Sequence, residues 1–99
     1  MGEKQHISVF AKLWTDRNGN THHQVSVWVN GNFVGREVDY GYGGAYLQTA
    51  TEMLIQKGVI PESAKKHTLP YFVRQHKDSF TLAHAYAYVA TKKDMLSWT

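Results

Sequence analysis

The stretch TDRNGNTHHQVSVWVNGNFVG, Thr15 to Gly35, contains two Asn-Gly dipeptides, Asn18-Gly19 and Asn30-Gly31, each set between segments of alternating polarity. Asn and Gly both tolerate positive φ, and the pair is the strongest short signal for a tight hairpin. Together they predict a three-stranded antiparallel meander over residues 6–15, 22–29 and 32–40. Each strand has one apolar face: Ile7, Val9, Ala11 and Leu13, then Val25, Val27 and Val29, then Val34, Val38 and Tyr40. A two-residue loop at Asn30-Gly31 pairs Val29 with Asn32 and Val27 with Val34, which joins the second and third sets. The same loop length at Asn18-Gly19 would set Ile7 and Val9 out of step with the valines, a slip that turns a whole strand inside out. A three-residue loop, Arg17-Asn18-Gly19 with Gly19 left-handed, pairs Asp16 with Asn20 and restores the parity.

This register leaves Phe10, Lys12, Trp14, Trp28 and Phe33 on the opposite face. Trp28 falls across from Phe33 and diagonal to Phe10, within cross-strand contact. A large aromatic patch is seldom left bare. Three fates are open to it: cover by the C-terminal segment, burial in a homodimer, or use as a binding platform. These five residues are the first candidate site.

Beyond the meander, EVDYGYGGAYLQTA (Glu37 to Ala50) turns a strand pattern into a helix pattern. Tyr46, Leu47, Ala50, Met53 and Leu54 recur at three- and four-residue spacing, which predicts a helix over 45–57 closed by Gly58, its stripe lying on the valine face. Its start is the second candidate site: Tyr40, Gly41, Tyr42, Gly43, Gly44 and Tyr46. A helix N-terminus offers free N–H groups and a positive dipole end to an anion. The pattern is neither G-x-G-x-x-G nor a Walker loop, and no lysine follows it, so a phosphate-loop enzyme is excluded. The plainer reading is that the glycines let the chain reverse tightly onto the sheet.

From residue 59 to 79 the chain holds both prolines and reads as an irregular connector with one short helix starting at Pro61. Residues 80–99 form a terminal strand and tail. Phe80, Leu82, His84, Tyr86 and Tyr88 alternate as a strand does, whereas Leu82, Tyr86, Val89, Lys93 and Leu96 fit a helix. The Tyr, Val and Thr content favours a fourth strand over 81–90. The expected fold is a single α+β domain over 1–99: a β-β-β-α unit (6–58), a connector (59–79), then the strand and tail (80–99).

The net charge of +3 gathers toward the C-terminus at Lys65, Lys66, Arg74, Lys77, Lys92 and Lys93. It leaves a polyanion partner open but falls short of a dedicated nucleic-acid binder. Without cysteine, disulfides and thiolate chemistry are excluded. No apolar run reaches a membrane span and no secretory leader is legible, so a cytoplasmic protein with no membrane partner is expected. His22 and His23 are adjacent and point to opposite faces of a strand, and the other histidines lack ligand spacing, so no metal is expected. The carboxylates form no acid/base motif, so no catalytic residue, enzyme activity or cofactor is expected.

Four segments, WTDRNGN, VWVNGNFVG, YGYGGAYLQTA and VATKKDML, together resemble a group of small accessory proteins encoded by tailed bacteriophages. That group has a Trp-Thr-Asp hairpin, a Tyr-Gly-Tyr-Gly turn into a Gln-Thr-Ala helix, and a Lys-Lys-Asp-Leu-like tail. The resemblance covers most of the chain outside 59–79, and Lys92-Lys93-Asp94-Met95-Leu96 departs from it by one inserted residue. It implies a phage accessory context and assigns no residue a role; small phage proteins of this kind often bind a host or anti-phage defence component, so a non-catalytic binding protein, for example an anti-CRISPR-like inhibitor, is the leading expectation. Two alternatives stand beside it. One is nucleic-acid binding through the sheet face and the C-terminal lysines, by analogy with three-stranded AP2 and integrase arm-binding domains, using Lys12, Arg17 and Arg36. The other is a nucleotide or signal-molecule sponge at the helix N-terminus.

Overall fold

Both Asn-Gly turns form with the backbone their residues permit. The computed structural model describes residues 4–41 and 44–97. Its first three strands are β1 (Gln5–Thr15), β2 (Thr21–Val29) and β3 (Asn32–Tyr40). Gly19, at φ +85°, closes the first loop. There the Asp16 N–H donates to the Asn20 carbonyl at 2.8 Å, and Asp16 Oδ1 accepts from the Asn18 and Asn20 amides. Asn30 (φ +54°) and Gly31 (φ +81°) form the two-residue loop with positive φ at both positions. The apolar faces of β1 and β2 superpose as expected, with Ile7 opposite Val29, Val9 opposite Val27 and Ala11 opposite Val25.

The expected face of β3 is corrected. Val27 lies across from Gly35 and Trp28 from Phe33, so Val34 is the extra residue of a β-bulge and the Val27–Val34 pair does not form. Beyond the bulge the alternation inverts. Val38 and Tyr40, 51% and 59% exposed, lie on the open face, while Glu37 and Asp39 face the helical side opposite Val25 and His23. Gly35 shows why the bulge is tolerated. A Cβ there would meet the Met53 methyl at 3.4 Å, so a residue without a side chain lets the helix pack close to β3.

Helix α1 (Ala45–Gln56) covers the valine face with Tyr46, Ala50, Met53 and Leu54. It ends in a Schellman motif around Gly58 (φ +76°), in which the Val59 N–H reaches the Leu54 carbonyl and the Gly58 N–H the Ile55 carbonyl. The connector is not irregular. It holds a 3-10 helix (Glu62–Lys66) after Pro61, then α2 (Leu69–Gln75), whose N-cap Thr68 accepts from the Tyr71 amide. Ile60, Ala64, Leu69, Phe72 and Val73 carry it into the core. Pro70 sits in the first turn of α2, where its missing N–H is harmless.

Strand β4 (Phe80–Tyr88) falls within one residue of its expected start, but it runs parallel to β1, with Ile7 opposite Leu82 and Leu13 opposite Tyr88. The sheet order is β3-β2-β1-β4, so the sheet is mixed rather than antiparallel. Helix and connector together return the chain to the end where β1 begins, which a parallel neighbour requires. Of the two patterns read in the tail the strand forms and the helix from Leu82 to Leu96 does not, since Leu82 and Tyr86 lie in β4; a separate short helix, α3 (Lys92–Leu96), follows, capped by Thr91 Oγ1 accepting from the Asp94 amide at 3.0 Å. This last helix crosses to the opposite face of the sheet, where Met95 is buried apart from the main core.

Candidate functional site

Antiparallel register fixes which side chains share the open face. Ser8, Phe10, Lys12 and Trp14 of β1 stand beside Trp28, Ser26, Gln24 and His22 of β2. Across β2 stand Phe33, Arg36, Val38 and Tyr40 of β3. The five residues expected on one face are therefore together, and the bulge adds Arg36, Val38 and Tyr40 to them. The lone Gly35 inside a strand pattern was the signal for that addition.

Helix α3 divides this face. Lys12 Nζ donates to the carbonyls of Ser97 at 2.8 Å and Asp94 at 3.3 Å, placing a cation on the C-terminal end of the helix. Gln24 and Ser26 are buried in the middle of the face that α3 crosses. Lys12 thus holds the helix down and does not stand open to solvent as a contact.

Two aromatic ends remain on either side. At one, Trp28 meets Phe33 edge-on at 5.8 Å, and the Arg36 guanidinium lies 5.6 Å from the Phe33 ring centre. Arg36 Nε donates to Ser26 Oγ, and burial lowers the guanidinium pKa from its ordinary value. At the other end Trp14 stacks on His22 at 5.4 Å, and Tyr40 meets the same imidazole edge-on at 5.1 Å. His22 Nε2 lies 3.1 Å from Asp16 Oδ2. That contact, with the Asn20 and Asn18 amides, holds the Asp16 carboxyl below its ordinary value.

The second candidate site divides differently. Tyr42 and Gly43 lie outside the described residues. Gly41 (φ +150°) has no room for a side chain, since a Cβ would come within 2.8 Å of Ala45 Cβ. Its carbonyl accepts from His23 Nδ1 at 3.1 Å, and His23 Nε2 bonds Thr49 Oγ1 at 2.8 Å, so a buried imidazole ties the turn to α1. Tyr46 is a core residue, 2% exposed, and not a frame for a ligand. Its hydroxyl bonds His84 Nδ1 at 2.8 Å, and burial, then the neighbouring Tyr86, raises its pKa.

The first turns of α1 nevertheless face a cleft of about 750 Å³. Gly44, Gln48 and Glu52 form one wall and Lys65, Lys66 and His67 the other. Nothing in the linear sequence joins Gly44 to Lys65, because the 3-10 helix that brings them together reads as connector. No family model, curated protein or solved structure matches the chain. Among the described residues, no helix is long and apolar enough to cross a membrane.

Proposed function

We propose that this protein is a non-catalytic binding module that engages a protein partner through the open face of its sheet. The observation carrying this reading is the pair of aromatic ends flanking α3. Phe10, Phe33, Val38 and Tyr40 stay exposed there, beside Trp14, Trp28 and Arg36. Trp, Tyr and Arg are the residue types that dominate interface energetics. The resemblance to tailed-phage accessory proteins makes a host or anti-phage defence component the partner to test first.

Nucleic-acid readout by the sheet is the weaker reading, for a physical reason. A strand-mediated reader needs its face free and its cations available for phosphates. Here α3 lies across the face and Lys12 is bonded to it.

The test is capture from host lysate with wild type, Phe33→Ala and Tyr40→Ala in parallel. Both side chains are exposed, so neither change should unfold the domain. Loss of a common partner, by about tenfold or more in affinity for at least one variant, is the expected result for a hot-spot aromatic. Equal recovery of that partner by all three proteins would overturn the assignment to this face.

The basic cleft supports a second reading, an anionic small ligand held between the α1 N-terminus and Lys65-Lys66. Thermal-shift titration with nucleotides should then stabilise wild type by about 2.7 kcal/mol at a hundredfold excess over Kd, and a Lys65→Ala/Lys66→Ala protein much less. A flat response to every nucleotide removes this reading.

A further inference from the structure

The two margins of the sheet are built in opposite ways. The β3 margin is bulged at Val34 and carries Arg36, Glu37 and Asp39, the features with which edge strands avoid pairing. The β4 margin has none of them. Its nine residues, FTLAHAYAY, contain no proline, no formal charge and no register shift. The nearest formal charges in sequence are Asp78 and Lys92.

Flanking hydrogen bonds set the parity of this edge. The Gln5 N–H donates to the Ser79 carbonyl and the Val89 N–H to the Leu13 carbonyl, so odd-numbered residues of this segment face β1. In a parallel ladder the alternate residues then turn their N–H and C=O outward. For Leu82, His84, Tyr86 and Tyr88 those groups point away from the sheet. The side chains of the same residues lie toward the helical layer, where Leu82 packs on the core while Tyr86 and Tyr88 are 51% and 60% exposed.

We propose that β4 is a self-association edge, and that two copies of this chain join through antiparallel β4 strands about a two-fold axis between their His84 residues. The strand is complementary to itself in this register. His84 meets His84 and Leu82 meets Tyr86, all outward-bonding residues of one parity, and Phe80 falls opposite Tyr88 with its N–H already bonded to the His76 carbonyl. On the other face Ala83 meets Ala85 and Thr81 meets Ala87, small against small. No like charges meet along the duplex, and the formally neutral Lys77-Asp78 end of each strand lies toward the Lys92-Lys93 end of the other. Each exposed tyrosine lands beside a Phe80 or Leu82 that α2 and the core already cover, Phe72 and Phe80 lying 5.6 Å apart. Two half-exposed tyrosines alone offer roughly 200 Å². With the backbone and the alanine face of nine residues, the edge can reach the ~600 Å² per partner of the smaller specific dimers.

Sedimentation velocity over a concentration series tests this with wild type, His84→Lys and His84→Glu. Wild type should dimerise reversibly. Each variant sets like charges across the axis and should weaken the dimer by about tenfold or more, while an equal mixture of the two should recover it. Circular dichroism verifies the fold. If either His84 variant unfolds, Ala85→Lys and Ala83→Glu carry the same test, since both alanines are exposed and face each other across the axis; their mixture should dimerise more tightly than either alone. A wild type that stays monomeric throughout overturns the proposal and leaves the edge to a foreign strand. Dimers indifferent to these charges, or unimproved by mixing, overturn the β4 register.

Discussion

Asp16 does most of the work of the first turn with one carboxylate, accepting from two backbone amides and contacting the His22 ring. Those contacts favour the ionised form, so the folded-state pKa lies below the ordinary 3.8. By linkage, its contribution to stability is present above the unfolded-state value and is lost as pH falls through the lowered one. An Asp16→Asn protein should therefore melt below wild type at neutral pH, with the gap narrowing as the pH is taken below the ordinary 3.8. Thermal melts at both values check this, and a gap independent of pH would assign the effect to turn geometry instead. The turn itself was legible because its chemistry is local: a left-handed glycine and an Asx acceptor depend on no distant contact. Tyr46 was only half legible. Helical spacing assigned it to the buried stripe and its glycine neighbours assigned it to a site, and only packing decides between the two.

At the scale of elements, the helix of 45–56 and the two hairpins follow from period and turn residues, and β3 departs from them at one residue. Alternation carries parity along a strand without correction, so a single bulge at Val34 inverts everything after it, and Val38 and Tyr40 change faces. Helices α2 and α3, of seven and five residues, are too short to show a period, and their local signs are the caps Thr68 and Thr91 and, for α2, Pro70 in its first turn. The hold of α3 on the sheet rests on Met95 and on Lys12 at its C-terminal end. Replacing Met95 with Ala should release this helix by about 2 kcal/mol or more without unfolding the strands beneath. Native-state hydrogen exchange should then rise at Asp94 and Met95 while β1 and the middle of β2 keep their protection; uniform loss across all strands would show instead that α3 is part of one cooperative unit.

The whole molecule closes by a long-range step. The meander and α1 are built from neighbours in sequence, whereas pairing β4 with β1 joins His6 to Thr81, 75 residues apart. Loop-closure entropy must be met before that contact returns anything, so β4 should dock after the folding barrier is crossed. In stopped-flow chevrons Leu82→Ala should mainly speed unfolding, with φ near 0, whereas Val27→Ala in the central hairpin should slow refolding. A φ near 1 at Leu82 would reverse this order. The same separation explains why the mixed sheet escaped the sequence: nothing local to residues 80–88 says which of three strands will receive them. The unequal margins of the finished sheet have one more consequence. If growth is possible only where an edge is plain, each molecule has one sticky side and one blunt side. Once two sticky sides have met, both ends of the joined sheet are blunt, and there is nowhere for a third molecule to add. A chain with two plain margins would instead polymerise into fibres. The bulge at Val34, with the charges of Arg36, Glu37 and Asp39 beyond it, thus acts as a terminator, setting the size at which assembly stops.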